Sequence, residues 1–421
     1  MSGETKREVE MKSESHRRSI RKVSARAPKI LLPKFLALLI ATVVWLPCMH
    51  VFYKPDVREY LKDNDIPSKT RKLSARQMDT WTKPELRQRE LQKMQAVNPE
   101  WDLMSRTYFV LALANMILQD SNYKQQAFDI IDAIIDNTLR LEQEKGFQHF
   151  LLRYGQSGGW VIKPPRSHFV DSEIALMLGA RRLIEEKPSY KALLSKRVEL
   201  MIYRMRQSPV LCAESYPDEC WMFCNTVSLA AIRIADVLDG TDRSLFLSSW
   251  VNKCKLRLLE KESGLLISAF GVDGTPASCA PGPEGSTIWM ACHMLQIVDK
   301  NFAIDQYCRA RKNLGGSILS FGYSREWPVG SESKIDIDSG PVIPYLGASA
   351  SASGLAIVAA RAFDDMDFFT KLLTSLDFLG FPTESNEHLF YNTGNAIGDS
   401  VVLYAMVQGP LWNEVEKRSR K

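Results

Sequence analysis

The sequence lacks the short motifs of several large protein classes. It has no glycine-rich phosphate-binding loop, no dinucleotide-binding fingerprint and no nucleic-acid-binding module, and its 23 glycines are scattered or lie in turns. No CxxC or HxxxH pair is present, so the usual spacings of zinc ligands are missing. Strand-like patches, such as 265–270 with the turn at 272–274, are too few for a substantial sheet. We therefore expect no cofactor, no metal and no nucleic-acid partner, in a protein built mainly from helices.

Charge of one sign is not in excess beyond the N-terminal segment. Lysine and arginine total 54, aspartate and glutamate total 49, and the formal net charge is +5. The basic excess lies mainly in residues 1–34, after which acids and bases roughly balance. With 45% hydrophobic and 24% charged side chains, the composition is that of a globular protein with a sizeable core.

A single long apolar run, residues 35–53, contains no charged side chain. As a helix it would span about 28 Å, which matches the hydrocarbon core of a bilayer. Aromatic side chains lie toward its far end, where a membrane interface favours them. The run predicts a single-pass anchor, and a cleaved signal peptide is the competing interpretation, although no A-x-A site follows. The basic tail, 1–34, favours a cytoplasmic N-terminus and a periplasmic, lumenal or extracellular domain. There the seven later cysteines could pair, but their spacing fixes no pairing.

After the apolar run, the sequence predicts a linker and surface helix in residues 54–97 and one helical domain in residues 98–421. Less polar helices alternate with more amphipathic ones in this domain. The less polar helices are expected at 101–118, 171–183, 224–237, 286–298, 348–362 and 395–406. Their partners are expected at 123–144, 190–206, 243–260, 301–317, 366–379 and 411–417. Six such hairpins that close into a ring predict an all-α (α/α)6 toroid. The sequence leaves open whether this domain forms a homo-oligomer.

Reactive side chains are dense where several inner helices begin, in the segments HFVDSE, YPDECWMFCN, PGPEGST and IDIDSGP. In a toroid these beginnings meet at one end, so groups distant in sequence can share a cavity. Glu173 is followed by apolar residues, and a buried carboxyl has a raised pKa that suits a general acid or base. Asp171 is a second candidate, for which helix capping is the alternative. Asp336 and Asp338 point the same way in extended backbone, and turn chemistry explains them equally well.

Two cysteines lie four residues apart near the third inner helix. Cys224 begins that helix, where the helix dipole would lower the pKa of a thiol. The alternative interpretation is that Cys220 and Cys224 are buried and have a structural role, which is usual for cysteine. His388 and Tyr391 precede the last inner helix and are further candidates, with a structural role as the alternative.

The segment PDECWMFCNTVSLAAIRIADVLDGTDRS, residues 217–244, resembles the linalool dehydratase/isomerase family. Weaker similarity extends through ALMLGARRLI and through DIDSGPVI into SGLAIVAARAFDD, and covers most of the chain in order. The resemblance implies an (α/α)6 fold and metal-free acid/base dehydration or isomerisation of a terpene alcohol in an apolar cavity. It matches Cys224 to a family cysteine, places Ser215 near a second one, and places Glu173 at the family's histidine position.

Three hypotheses follow. The first is a membrane-anchored, metal-independent lyase or isomerase of the dehydratase type, acting on a small hydrophobic, terpenoid-like alcohol through Glu173 and Cys224. The second is a carbohydrate hydrolase or lyase in which Glu173 and Asp338 form a carboxylate pair. The third is a non-catalytic binding domain with a filled centre. Residues expected to bind the substrate are Asp218, Cys220, Trp221, Phe223, Asn225, Trp289, His388 and Tyr391.

Overall fold

The computed structural model describes residues 27–61, 65–156, 158–278, 282–330 and 340–420, and it divides after Tyr53 into two units. The first unit contains helices α1 (Ala27–Cys48) and α2 (His50–Tyr53). The span Leu32–Tyr53 has a mean hydropathy of 2.2, so it is long and apolar enough to cross a bilayer. This N-terminal apolar helix is consistent with a signal sequence or with an anchor.

The second unit, Lys54–Lys421, is mostly helical. Its helices are α3 (Ser68–Thr82), α4 (Pro84–Val97), α5 (Pro99–Gln119), α6 (Lys124–Lys145), α7 (His168–Ile184), α8 (Pro188–Met205), α9 (Met222–Asp239), α10 (Ser244–Arg257), α11 (Gly285–Leu295), α12 (Lys300–Asn313), α13 (Ala350–Ala362), α14 (Met366–Leu379), α15 (Ala396–Val407) and α16 (Pro410–Ser419). The predicted helices lie within a few residues of these bounds.

Six helices form a closed inner ring. Each of α5, α7, α9, α11, α13 and α15 packs against the next, and α15 returns to pack against α5. These helices are apolar on nearly all sides, and a helix of that kind must be buried on all sides. In α9, for example, every residue from 222 to 232 is buried. The prediction of a mostly helical, toroid-like domain is confirmed.

The outer layer differs from the prediction at one position. The segment predicted as the sixth outer helix forms α16, which instead packs across α5, α7 and α9. The outer place beside α15 is taken by α3, within the segment interpreted as a linker. The buried stripe of α3 contains the polar residues Thr70, Ser74 and Gln77 as well as Leu73 and other apolar side chains, and this mixture conceals its periodicity.

Short antiparallel strands cap the end at which the inner helices begin, which we call the mouth. They are β1 (Cys220–Trp221) with β2 (Ala269–Phe270), a sheet in the order β3 (Gly315–Ile318), β4 (Phe321–Arg325), β6 (Ala348–Ser349), β5 (Val342–Ile343), and β7 (Pro382–Glu384) with β8 (Leu389–Tyr391). β1 leads directly into α9, β6 leads directly into α13, and β8 precedes α15. The strands therefore surround the mouth.

Candidate functional site

Glu173 is a buried carboxyl near the mouth. It lies in the second turn of α7 and is 3% exposed. Burial raises its pKa to about 8; a hydrogen bond with Thr107 of α5 opposes this shift, and the charge of Glu100 adds to it. The carboxyl is therefore protonated at neutral pH, as a general acid must be.

Glu100, at the start of α5, is the nearby carboxylate. Asn98 caps this helix by accepting a hydrogen bond from the backbone N–H of Glu100 at 2.9 Å. The Tyr216 hydroxyl donates to Glu100 Oε1 at 2.6 Å. Burial and the adjacent Glu100 raise the pKa of Tyr216, so its hydroxyl keeps its proton. Glu100 therefore has a hydroxyl donor and a helix N-terminus beside it, and its charge acts on the neutral acid Glu173.

Cys224 also lies at this site. It is the third residue of α9, the side chain of Ser215 lies beside its thiol, and the charges of Glu100 and Glu173 act on it. Burial raises the pKa of the thiol well above its usual value, with these carboxylates adding to the shift. The expectation that the helix dipole lowers this pKa is wrong, because the loss of hydration outweighs the dipole. Cys224 is therefore a neutral thiol.

Alkylation of the folded protein tests this protonation state. We expect Cys224 to resist iodoacetamide at pH 8, because the thiolate is the reactive form and the neutral thiol is buried. Exposed Cys308 is the internal control and should react readily. Peptide mass spectrometry measures both sites, and equal rates at the two cysteines in the folded protein would contradict the assignment.

Three residues expected to bind substrate lie in or beside the loop that carries Ser215 and Tyr216, and two of them hold its backbone by hydrogen bonds. Asn225 Oδ1 accepts the backbone N–H of Ala213 at 2.9 Å, and its amide donates to carbonyls of Ala213 and Trp221 at 3.2 and 2.9 Å. Asp218 has a left-handed backbone with φ of 55°, and its side chain accepts the backbone N–H of Val272 at 3.1 Å. Cys220 is buried in β1.

Aromatic side chains flank the carboxylates. Exposed Tyr154 stacks on Tyr216, with ring centroids 4.4 Å apart and planes inclined by 21°. Trp221 is half-buried and its indole N–H donates to Glu219, whereas Phe223 is buried in the core. Glu219 also lines a surface cleft of about 570 Å³. Other residues lining this cleft include Pro217, Asp218, Val272, Asp273 and Pro276.

A column of polar side chains continues inward from Glu173. The pKa of Tyr108 is raised by burial, with Glu173 and Tyr404 adding to the shift. The Tyr404 hydroxyl lies 2.7 Å from His293 Nε2, and the His293 ring stacks on Trp412 of α16 at 5.1 Å. Tyr108 and Tyr404 were missed because nothing in an apolar helix distinguishes a tyrosine that faces the ring interior from one that fills the core.

Asp171 lies away from the site, in a buried ion cluster. Arg166 donates to its carboxylate at 2.6 Å and Arg197 at 2.5 Å, and both arginines also contact Glu142 of α6. Burial acts to raise the pKa of Asp171, but Arg197 and Arg166 hold it below its usual value. An ionised, paired carboxylate cannot serve as a general acid, so Asp171 has a structural role here.

Trp289, which was also expected to bind substrate, lies away from Glu173 and Cys224. Trp289 is fully buried, donates to Ser324 Oγ at 2.7 Å and packs against Tyr307 and Phe368 of the outer helices. Its side chain therefore lies on the outward side of the ring, because α12 and α14 flank it there.

The two candidates ahead of α15 have partners outside the site. His388 Nε2 lies 3.3 Å from Asp79 of α3. Tyr391 is buried, and its environment includes Tyr60 and Asp377. Asp336 and Asp338 lie outside the described residues. The structure therefore brings Glu173 and Cys224 together with Glu100, Ser215 and Tyr216, and separates them from Asp171, Trp289, His388 and Tyr391.

No protein-family model matches the sequence, and no curated protein matches it. Among solved structures, the chain is similar to a GH76 α-mannanase from Bacteroides thetaiotaomicron, with a TM-score of 0.47 and 13% sequence identity over 75% of this chain and 87% of that chain. Within the described ranges, no group of three or more histidine, cysteine, aspartate or glutamate side chains is placed to hold a metal ion.

Proposed function

We propose that the chain is a glycosidic-bond hydrolase in which Glu173 is the general acid and Glu100 its carboxylate partner. The observation that carries this proposal is the pairing of two carboxyl groups in different surroundings near one mouth: burial keeps Glu173 neutral, and Tyr216 donates to Glu100, whose charge acts on Glu173. Glycosidic cleavage uses such a pair. Glu173 would protonate the leaving oxygen, and Glu100 would assist water or attack the sugar carbon. Glu100 replaces Asp338 in the pair expected from the sequence.

The surroundings of Glu100 suit a sugar. Tyr154 is exposed and stacked flat on Tyr216, whose hydroxyl binds Glu100. An exposed aromatic face is a platform on which the apolar face of a pyranose can pack. The 570 Å³ cleft beside Glu219 offers space for further units of an oligosaccharide.

Dehydration or isomerisation of a hydrophobic alcohol is the second candidate. The observation that favours it is the position of Cys224 and Ser215 near Glu173, with Tyr108 as an aromatic neighbour of that acid. In that reaction Glu173 protonates the leaving hydroxyl, water departs, and Glu100 accepts the proton lost from the neighbouring carbon. Both candidates require cleavage of a carbon–oxygen bond assisted by protonated Glu173.

Product analysis in water labelled with oxygen-18 distinguishes the two candidates. The full-length protein is incubated with a panel of oligosaccharides and alkenols, and products are measured by mass spectrometry. We expect labelled oxygen in a newly formed sugar hemiacetal; an unlabelled alkene would instead support dehydration. Glu173→Gln is the inactive control, and Glu262→Gln on the surface is the matched control that should retain activity. Absence of turnover across the panel would favour the third hypothesis, a non-catalytic binding domain.

We also propose that the N-terminal apolar helix is retained as a membrane anchor rather than removed. Its 22-residue span, Leu32–Tyr53, supports this, as does the basic segment that precedes it. N-terminal sequencing of the mature protein and extraction with alkaline carbonate test the proposal. A soluble mature chain that begins after Tyr53 would contradict it.

A further inference from the structure

An exposed apolar patch lies where the β3–β4 hairpin meets the end of α14. Four exposed side chains form it: Ile318, Leu319, Leu379 and Phe381. The hairpin and the helix end are joined by Phe321 and Phe378, whose ring centroids are 5.0 Å apart. An apolar surface of this kind indicates a binding face, because a monomeric soluble protein rarely exposes several large apolar side chains together.

The backbone at two patch residues strengthens this interpretation. Leu319 has φ of 54° and Phe381 has φ of 47°, both in the left-handed region. Large side chains are uncommon there, since glycine or asparagine adopts that conformation at lower cost. The chain therefore holds two large apolar side chains in strained, solvent-facing positions, where neither solubility nor local conformation favours them.

The first residues of the second unit, from Lys54 to Tyr60, lead to a contact beside the patch. Tyr60 is fully buried, and its hydroxyl donates to Asp377, the residue before Phe378. Residues 54–59 are all that separate Tyr60 from Tyr53, the last residue of the apolar helix. Seven Cα–Cα steps reach at most about 25 Å. The chain therefore enters the core of the second unit at the same end of α14 that carries the patch.

We propose that the apolar patch inserts into the interfacial layer of the bilayer that holds the N-terminal helix. The proposal rests on the anchor proposed above. Leucine and phenylalanine side chains bury favourably at the boundary of headgroups and acyl chains. Since α14 follows α13 after a short turn and runs back beside it, α14 ends on the mouth side of the ring. Insertion would hold that side of the domain at the membrane surface.

Photo-crosslinking of the full-length protein in phosphatidylcholine vesicles tests the proposal. The photoreactive residue p-benzoylphenylalanine replaces Phe381 in one variant and Leu379 in another. Tyr203 on α8 is the matched control position, since it is 59% exposed and Phe381 is 61% exposed. We expect phospholipid adducts, detected by mass spectrometry, at positions 381 and 379. No adducts are expected at the control position 203.

A fourth position separates failure of the patch from failure of the anchor. The same photoreactive residue at Val43, within the apolar helix, reports whether that helix lies in lipid. Adducts at 43 without adducts at 379 and 381 would overturn the insertion of the patch and leave the anchor standing. Absence of adducts at all four positions would overturn both. Protein–protein crosslinks at 381 in place of lipid adducts would show that a second copy covers the patch, which also overturns the proposal.

Discussion

Replacing Glu173 with glutamine is expected to reduce kcat by roughly 10²- to 10⁴-fold, the usual contribution of a general acid. Glutamine keeps the size and much of the polarity of the side chain but has no acidic proton to give to a leaving oxygen. The activity of the unchanged protein should in turn fall as the pH rises through about 8, where Glu173 loses its proton. Steady-state kinetics from pH 5 to 9 on the substrate identified by product analysis measures both effects.

The same substitution should change stability in a pH-dependent way. The pKa of Glu173 is raised from 4.5 to about 8, so the folded state holds a proton that the unfolded state has released between these values. The stability gained from this proton is fully present below about 4.5 and is lost as the pH rises through about 8. Relative to the unchanged protein, Glu173→Gln should therefore gain a few kcal/mol of unfolding free energy between pH 5 and pH 9.

Urea unfolding at pH 5 and pH 9 measures this difference. Glu262→Gln provides the surface control, because Glu262 is exposed and should show the same stability relative to the unchanged protein at both pH values. If Glu173→Gln shows a pH-independent effect as well, Glu173 is not the buried neutral acid described above. If stability changes as expected but turnover is retained, the acid is buried but not catalytic.

The inner ring was predictable from the sequence for a simple reason. Helices apolar on almost every side can be stable only when surrounded, and their regular alternation with amphipathic helices indicates a ring. The outer position of α3 was not predictable, because tertiary contacts and not an apolar periodicity bury Thr70 and Ser74. The same limit applies to α16, whose short amphipathic pattern fits an outer helix as well as a helix that packs across the ring.

The site was only partly predictable. Glu173 stands out because an acid is followed by four apolar residues inside a buried helix. Glu100 does not stand out, because the sequence NPE is an ordinary helix N-terminus and an acid in the first turn is normally a dipole partner. Its role depends on Tyr216, 116 residues away in the chain, and on the loop that Asn225 fixes.

Asp171 and Glu173 show why two neighbouring acids have different fates. Side chains two residues apart on a helix point about 200° apart, so the two carboxyl groups lie on nearly opposite faces of α7. Glu173 faces α5 and Cys224, while Asp171 faces Arg197 of α8 and Arg166. The sequence shows both acids at the start of the helix. It does not show that the arginines contact only the face that carries Asp171.

Replacing Asp171 with asparagine is expected to cost roughly 3–5 kcal/mol of unfolding free energy, the usual result of breaking a buried ion pair. Asparagine leaves Arg166 and Arg197 with Glu142 as their remaining carboxylate partner in the cluster, and Arg204 adds further positive charge nearby. The pKa of Asp171 is lowered, so its stabilising contribution is present above the usual aspartate pKa and is lost as the pH falls through the lowered value. The penalty of the variant should therefore be large at pH 7 and shrink in strong acid.

Denaturant unfolding at pH 7 measures the loss, with Asp129→Asn on the exposed face of α6 as the matched control that should be nearly neutral. Turnover per folded molecule should be retained in Asp171→Asn, because the carboxylate faces arginines and not the carboxyl pair at the mouth. A fully folded variant with unchanged stability but greatly reduced kcat would restore Asp171 to the catalytic group. Retained kcat with lowered stability would leave Glu173 as the acid on α7 that carries the chemistry, and Asp171 as the ion that fixes α7 against α6 and α8.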